Sequence, residues 1–144
     1  MTSDDGQGHR IEAWRRLVLL IEYDAAYRTA LAAELRHAGF HPIECATTLE
    51  ALDALDHTPS IGLAVVSDIM RPKSPNFLSF ARMMNLRNKH SRIVLISQLD
   101  DTRTVLDESD KKLFESIVEW APDVQRMAGD IVKALGFETQ GLAP

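Results

Sequence analysis

Cysteine and long apolar stretches are the scarcest features of this sequence. Its single cysteine, Cys45, cannot form a disulfide within the chain, which fits a reducing compartment. The apolar run near the N-terminus, residues 17–21, is far too short to span a membrane. Residues 1–9 also lack the basic start and the apolar stretch of a signal peptide. We therefore expect a cytoplasmic protein that makes no membrane contact.

Basic clusters and common catalytic motifs are missing as well. The formal net charge is −5, and beyond the pair Arg15–Arg16 no basic stripe appears, which argues against nucleic acid as a partner. The sequence has no phosphate-binding loop ending in Gly-Lys-Ser/Thr, no Gly-x-Gly-x-x-Gly motif and no Gly-x-Ser-x-Gly elbow. Its Cys and His spacing fits no zinc site. We predict that the chain is not an enzyme.

The 144 residues contain a regular alternation of short apolar runs and helical patterns. The predicted strands are residues 17–21, 40–46, 61–68, 92–97 and 116–120, and a helix follows each. This alternation predicts an α/β fold, a parallel five-stranded sheet with helices on both faces. Pro42 cannot donate to a ladder, so the second strand belongs at an edge, and the order 2-1-3-4-5 follows. We expect one domain over residues 15–136, with tails at 1–14 and 137–144.

The helices carry more local predictions. Asp24 is a plausible N-cap of the first helix, and Thr47 with Glu50 matches a capping box for the second. Pro122 is predicted in the first turn of the last helix, and a polar fourth helix over residues 100–112 has little to bury. The residues predicted to face the core in the second and third helices are Leu49, Leu52, Leu55, Phe77, Phe80, Met83, Met84 and Leu86.

Acidic residues recur at the ends of the predicted strands. With the order 2-1-3-4-5, the first and third strands end at one crevice, so Glu22 and Asp68 would lie side by side. Ser97 and Glu119 would end the fourth and fifth strands at the same rim. Carboxylates clustered in this way suggest a hard cation such as Mg²⁺. The structural alternatives are that Asp68 caps the turn after its strand and that Asp24 only caps the first helix.

The chain from about Leu17 to Leu135 resembles the receiver domain of two-component response regulators, the CheY-like phosphoacceptor module of bacterial phosphorelays. The resemblance rests on Leu-Leu-Ile-Glu22-Tyr-Asp24, on Asp68-Ile-Met-Arg-Pro72, and on the strand end Ile-Val-Leu-Ile-Ser97. The distance along the chain from Ser97 to Glu119 also matches the family's distance from its hydroxyl to its lysine. The resemblance implies a flavodoxin-like, doubly wound fold.

The resemblance also implies a role for each matching residue. Asp68 corresponds to the phosphoacceptor, and Ser97 to the hydroxyl that relays the switch. Glu22 corresponds to the first acid of the metal-binding pair, and Met70 to the residue whose backbone carbonyl ligates Mg²⁺. Asp24 either replaces the second acid or only caps its helix. The implied partners are a histidine kinase, a phosphotransfer protein or another signalling protein.

Three family positions are occupied by the wrong kind of residue. Tyr23 stands where the second acid ligates Mg²⁺, Ser116 where the family has its aromatic switch residue, and Glu119 where a lysine pairs with the phosphoryl group. Trp120 follows in place of a proline. Two like charges about 4 Å apart repel by roughly 4 kcal/mol at an effective dielectric constant of about 20, so Glu119 opposes a phosphoryl group. Mg²⁺ binding is weakened by Tyr23 and Glu119 together.

These departures favour a degenerate, stand-alone receiver that acts through protein contacts, with Asp68 phosphorylation weak or absent. Its predicted contact surface, which would also serve a homodimer, is the face of the fourth helix, fifth strand and fifth helix. Trp120 is either an anchor there or is packed against the last helix. The first alternative is a working phosphoacceptor that takes phosphate at Asp68. The second is a flavodoxin-like domain that binds a small ligand in the acidic crevice.

Overall fold

The structure, a computed structural model, describes residues 16–69, 76–99 and 106–136. Its strands are β1 (Leu17–Ile21), β2 (His41–Cys45), β3 (Leu63–Ser67), β4 (Arg92–Ser97) and β5 (Ser116–Glu119). Its helices are α1 (Ala25–His37), α2 (Thr48–His57), α3 (Phe77–Arg87), α4 (Glu108–Lys111) and α5 (Val124–Leu135). No helix within these three ranges is long and apolar enough to cross a membrane.

The strands form one parallel sheet in the order β2-β1-β3-β4-β5. This confirms the predicted fold class and the predicted strand order. Pro42 lies on the edge strand β2, opposite Val18, where a missing N–H costs no ladder bond on the outer side. All five residues of β3 are buried, because helices cover both faces of the central strands.

Two cores flank the sheet, and alternate residues of each strand enter opposite cores. Val18 and Leu20 of β1 enter one core, whereas Leu19 and Ile21 enter the other. The first core is closed by α1 and α5 through Leu31, Leu35, Met127 and Ile131. The second is closed by α2 and α3 through Leu52, Leu55, Phe80 and Met84. Each fully buried side chain of this kind contributes about 1.5–3 kcal/mol, so the sheet provides a firm base for its loops.

Local signals set the helix ends largely as predicted. Asp24 accepts a hydrogen bond from the Tyr27 N–H at 3.1 Å, and Thr47 accepts one from the Glu50 N–H at 3.1 Å. Glu50 completes the capping box one residue further back, because its carboxylate accepts from the Ala46 N–H rather than from Thr47. Helix α5 stops at Gly136, whose φ of 75° is open to glycine at little steric cost.

Two predictions about helix ends were wrong. Pro122 precedes α5 rather than opening it, because Asp123 is the N-cap and accepts from the Gln125 N–H at 3.0 Å. In the described part of the predicted fourth helix, only the single turn of α4 is helical, capped by Asp107. The polar sequence there gives a longer helix little apolar area to bury. Residues 100–105 of that prediction lie outside the described residues.

The predicted apolar faces of α2 and α3 were partly wrong. Leu49 is 58% exposed, Met83 is 39% exposed and Leu86 is 81% exposed. In α3, the buried stripe runs through Phe80 and Met84, four residues apart, so Met83 and Leu86 fall beside it.

Candidate functional site

The carboxyl ends of four strands form one rim of the sheet. In the strand register, Ile21 lies opposite Val66, and Ser97 lies opposite Glu119. Ser67, next to Asp68, lies opposite Ile96 in the same way. Parallel pairing therefore places the predicted residues at one edge, in the spatial order Glu22, Asp68, Ser97, Glu119. Their chemical roles stay predictions.

Asp68 is buried and forms hydrogen bonds through both its backbone and its side chain. The residue is 7% exposed, and its N–H donates to the Ile96 carbonyl at 3.0 Å. The Gln98 N–H donates to both carboxylate oxygens, at 2.9 Å from Oδ1 and 3.1 Å from Oδ2. The Leu99 N–H donates to Oδ2 at 3.1 Å. Asp68 thus bonds the turn that follows β4, a neighbour in space rather than in sequence.

Glu22 is equally buried but only half bonded. It is 4% exposed, and its Oε2 accepts from the Asp24 N–H at 3.0 Å. Its Oε1 is buried and has no hydrogen-bond partner in the described part of the chain. Burial raises the pKa of Glu22 above its ordinary value, and the Asp24 N–H and the Arg28 guanidinium offset this only in part.

Arg28 does not neutralise the carboxylate of Glu22 by a direct bond. Its Nη1 donates to the Glu22 backbone carbonyl at 2.8 Å, and its Nε donates to the Glu44 carboxylate at 3.3 Å. The guanidinium therefore secures the end of β1 against the edge strand β2. What remains at Glu22 is a buried acid whose charged form is poorly solvated.

The other predicted residues form local hydrogen bonds, are exposed, or lie outside the described residues. Ser97 donates its hydroxyl to the Leu99 carbonyl at 3.1 Å. Asp24 is exposed and caps α1, as one of its two predicted alternatives required. Glu119 is exposed at the end of β5. Met70, the predicted backbone ligand of Mg²⁺, lies outside the described residues.

An aromatic pair covers the loop after β5, where the family has its lysine and proline. The rings of Tyr27 and Trp120 lie 5.5 Å apart at 35°, and the Tyr27 hydroxyl donates to the Ala121 carbonyl at 2.5 Å. Burial, with the charges of Glu22 and Asp123, raises the pKa of Tyr27 to about 12, so the hydroxyl keeps its proton to donate. Trp120 is partly buried against the first core, which favours the packing alternative for this residue.

The donor set fits a magnesium ion poorly. Across the three described ranges, no group of three or more His, Cys, Asp or Glu side chains is placed to hold a metal. The buried Oε1 of Glu22 is an available donor, but both oxygens of Asp68 already accept N–H bonds. Tyr23 supplies no carboxylate and is 46% exposed. Mg²⁺ prefers several oxygen ligands in near-octahedral geometry, and the side chains of the described residues do not bring such a set together.

An open groove lies beside the rim, along β5 and the start of α5. It has a volume of about 560 Å³, and its lining includes Glu119, Trp120, Pro122, Arg126 and Asp130. Charges of both signs and one aromatic side chain are therefore presented on the face that was predicted as a contact surface. Such a mixture is typical of the edge of a protein interface rather than of a small-molecule pocket.

Comparison with known proteins supports the fold and leaves the chemistry open. No protein-family profile matches the chain, and no curated protein sequence matches it. Solved structures do. The response regulator TrrA of Thermotoga maritima, solved with Mg²⁺ and beryllofluoride, is 18% identical, with a TM-score of 0.68, over 83% of this chain and 98% of that one.

Two further structures show the same likeness. A response regulator receiver protein from Pseudomonas putida is 22% identical, with a TM-score of 0.67, over 84% of this chain and 95% of that one. A structure described as an adenylate cyclase from Rhodopirellula baltica is 13% identical, with a TM-score of 0.71, over 88% of this chain and 91% of that one. At these identities the likeness establishes the fold, so the chain has the fold of a response-regulator receiver domain.

The sequence identified the side chains of the rim but not their hydrogen-bond partners. The donors to Asp68 are backbone N–H groups of Gln98 and Leu99, which every residue except proline carries, so no residue type announces them. Nor did the sequence predict the hydrogen bond of Tyr27. Its bond to Ala121 joins residues 94 positions apart, a separation that helical periodicity cannot reveal.

Proposed function

We propose that this chain is a degenerate receiver domain in two-component or phosphorelay signalling that acts through protein contacts, with Asp68 phosphorylation weak or absent. The observation that carries the proposal is that an exposed carboxylate, Glu119, ends β5 opposite Ser97, at the same rim as Asp68. The N–H groups of Gln98 and Leu99 also hold the Asp68 carboxylate in place. The receiver fold supports the signalling role.

The charges at the rim support weak phosphorylation. Glu119 stands at the position where receivers carry a lysine, so an acidic side chain replaces the cation that would pair with a phosphoryl group. Tyr23 removes a carboxylate from the metal position. Transition states of phosphoryl transfer depend on positive groups that neutralise developing charge, and this rim gains a negative one instead.

The groove along β5 and α5 is the proposed contact surface. Glu119, Arg126 and Asp130 line it, and Trp120 contributes an aromatic face. The proposed partner is a histidine kinase, a phosphotransfer protein, another signalling protein or a second copy of the chain. We place the protein in the cytoplasm, where its single cysteine stays reduced.

Restoring the family residues tests the proposal. The variant Tyr23→Asp/Glu119→Lys changes two exposed side chains, so we expect it to fold normally. Incubated with Mg²⁺ and acetyl phosphate, it should be labelled at Asp68, and adding Asp68→Asn should abolish the label. The wild-type chain should show little or no label under the same conditions. Strong labelling of the wild type, lost in Asp68→Asn, would overturn the proposal.

The contact surface has its own test. Reversing the charges in Arg126→Glu/Asp130→Arg should weaken self-association or the capture of a purified histidine kinase or phosphotransfer protein. Lys89→Glu is a matched control, because Lys89 is exposed in the turn before β4, at the other end of the sheet. Equal binding by both variants and the wild type would exclude the groove as the contact surface.

A working phosphoacceptor is the second candidate. Asp68 and Ser97 are both present, and the buried Oε1 of Glu22 has no partner within the described residues, so it could accept a cation. A histidine kinase or phosphotransfer protein that passes phosphate to wild-type Asp68 at a rate matching the restored variant would establish this candidate instead.

A further inference from the structure

The turn after β4 is organised around a side chain from another strand. The turn runs from Ser97, the last residue of β4, to Leu99, and the Ser97 hydroxyl closes it by donating to the Leu99 carbonyl at 3.1 Å. The Trp120 N–H holds the Ser97 carbonyl from the opposite side, at 3.0 Å. Gln98 and Leu99 are exposed, so no core packing fixes their backbone.

The two N–H groups of this turn point at one carboxylate. The Gln98 N–H lies within 3.1 Å of both Asp68 oxygens, and the Leu99 N–H lies 3.1 Å from Oδ2. Successive backbone N–H groups that converge in this way form a concave anion site. Here the anion belongs to the protein itself and is 7% exposed.

We propose that Asp68 is a positioning residue whose carboxylate occupies an anion cradle formed by the N–H groups of Gln98 and Leu99, and so holds the exposed turn after β4 in place. The inference is argued from the hydrogen bonds of the cradle alone, so it does not rest on the proposed function. It gives Asp68 a role that requires no phosphoryl group. It also predicts that an emptied cradle accepts a small carboxylate such as formate.

Chemical rescue tests the cradle. In Asp68→Gly the carboxylate and its methylene are both removed, which leaves room for one formate ion. We expect hydrogen exchange at the Gln98 and Leu99 amides to accelerate by about tenfold or more, because both N–H groups lose their charge-assisted bonds. Added sodium formate should slow both amides again along a saturable curve, whereas sodium chloride at equal ionic strength should not.

Asp123→Gly is the matched control. Asp123 is also an aspartate bonded to a backbone N–H, that of Gln125 at 3.0 Å, but it is exposed and caps a helix with that one bond. Exchange near Gln125 should accelerate in this variant, with no specific slowing by formate. A response to formate that is equal in both variants, or absent in Asp68→Gly, would overturn the cradle.

A second variant covers the case in which Asp68→Gly does not fold. Asp68→Asn keeps the shape of the side chain but replaces one acceptor oxygen with an NH₂ group. At least one of the Gln98 and Leu99 amides should then exchange faster, and its proton NMR signal should move upfield. Two amides with wild-type exchange in Asp68→Asn would reject the proposal. Phosphorylation of the wild type would reject the proposed function but leave this outcome unchanged.

Discussion

Asp68 and Glu22 end neighbouring strands of one sheet and are both nearly inaccessible, yet their surroundings differ. Both oxygens of Asp68 accept N–H bonds, from Gln98 and Leu99. Glu22 has one bonded oxygen and one buried oxygen without a partner among the described residues. Burial raises the pKa of Glu22. The same rim thus holds one carboxylate with both oxygens hydrogen-bonded and another that keeps a desolvation cost.

The difference teaches which buried charge contributes to stability. A buried carboxylate whose oxygens are bonded gains charge-assisted hydrogen bonds, and removing it also orphans the donors. A buried carboxylate with an unmet oxygen keeps its desolvation cost instead. Asp68 and Glu22 are about equally buried, but their hydrogen bonding differs. We therefore predict opposite effects on the free energy of unfolding when each charge is removed.

The largest effect is expected for Asp68→Ala. Two backbone N–H groups, of Gln98 and Leu99, lose their acceptor, so the free energy of unfolding should fall by about 3 kcal/mol. Urea denaturation followed by tryptophan fluorescence measures this. Asp123→Ala, which removes an exposed N-cap, should cost about 1 kcal/mol. Equal losses in the two variants would contradict the special place of Asp68.

Glu22→Gln should have the opposite sign and a smaller size. Because the pKa of Glu22 is raised in the folded protein, the folded state binds the proton more tightly than the unfolded chain. The stability that proton binding at Glu22 contributes is fully present below the ordinary pKa of 4.5 and is lost as the pH rises through the raised pKa. Glutamine does not ionise, so the Glu22→Gln protein does not lose this stability as the pH rises. At neutral pH it should therefore be more stable than the wild type.

The pH dependence is the control for this prediction. Urea denaturation of both proteins should give stabilities that converge toward low pH and separate between the ordinary and the raised pKa. A Glu22→Gln protein that is less stable than the wild type at neutral pH would mean that ionised Glu22 makes a favourable contact there, such as one with a cation.

The smallest effect is expected for Tyr27→Phe, which sets the scale for a neutral hydrogen bond at the same rim. The variant loses only the bond from the hydroxyl to the Ala121 carbonyl, and the ring keeps its packing on Trp120. The free energy of unfolding should fall by about 1 kcal/mol. A loss as large as that of Asp68→Ala would remove the distinction between charged and neutral bonds here.

The fold was predictable because its signals are local and redundant. The apolar runs gave the bounds of β1 and β4 as they stand, and Pro42 identified the edge strand. Helix faces were harder, since Leu49 and Leu86 are as apolar as their buried neighbours. Only the direction of a helix relative to the sheet decides which leucine is covered, and that direction depends on tertiary packing.

At the site, strand order predicted which residues lie together but not which hydrogen bonds they form. Glu22, Asp68, Ser97 and Glu119 share the rim that the topology implied. Sequence alone assigned Asp68 either to phosphoryl chemistry or to the turn after its own strand. Its observed partners belong to the turn after β4 and are backbone atoms, which carry no signature of residue type.

One titration tests the central claim most directly, that the rim is held by the protein's own hydrogen bonds rather than by a metal ion and a phosphoryl group. Mg²⁺ and then beryllofluoride, a phosphoryl mimic, are added to the wild-type chain while the amide NMR signals of Gln98 and Leu99 are followed. We predict that both signals stay in place, and that they shift only in Tyr23→Asp/Glu119→Lys. Saturable shifts in the wild type that spread from Asp68 to Ser97 would contradict the account.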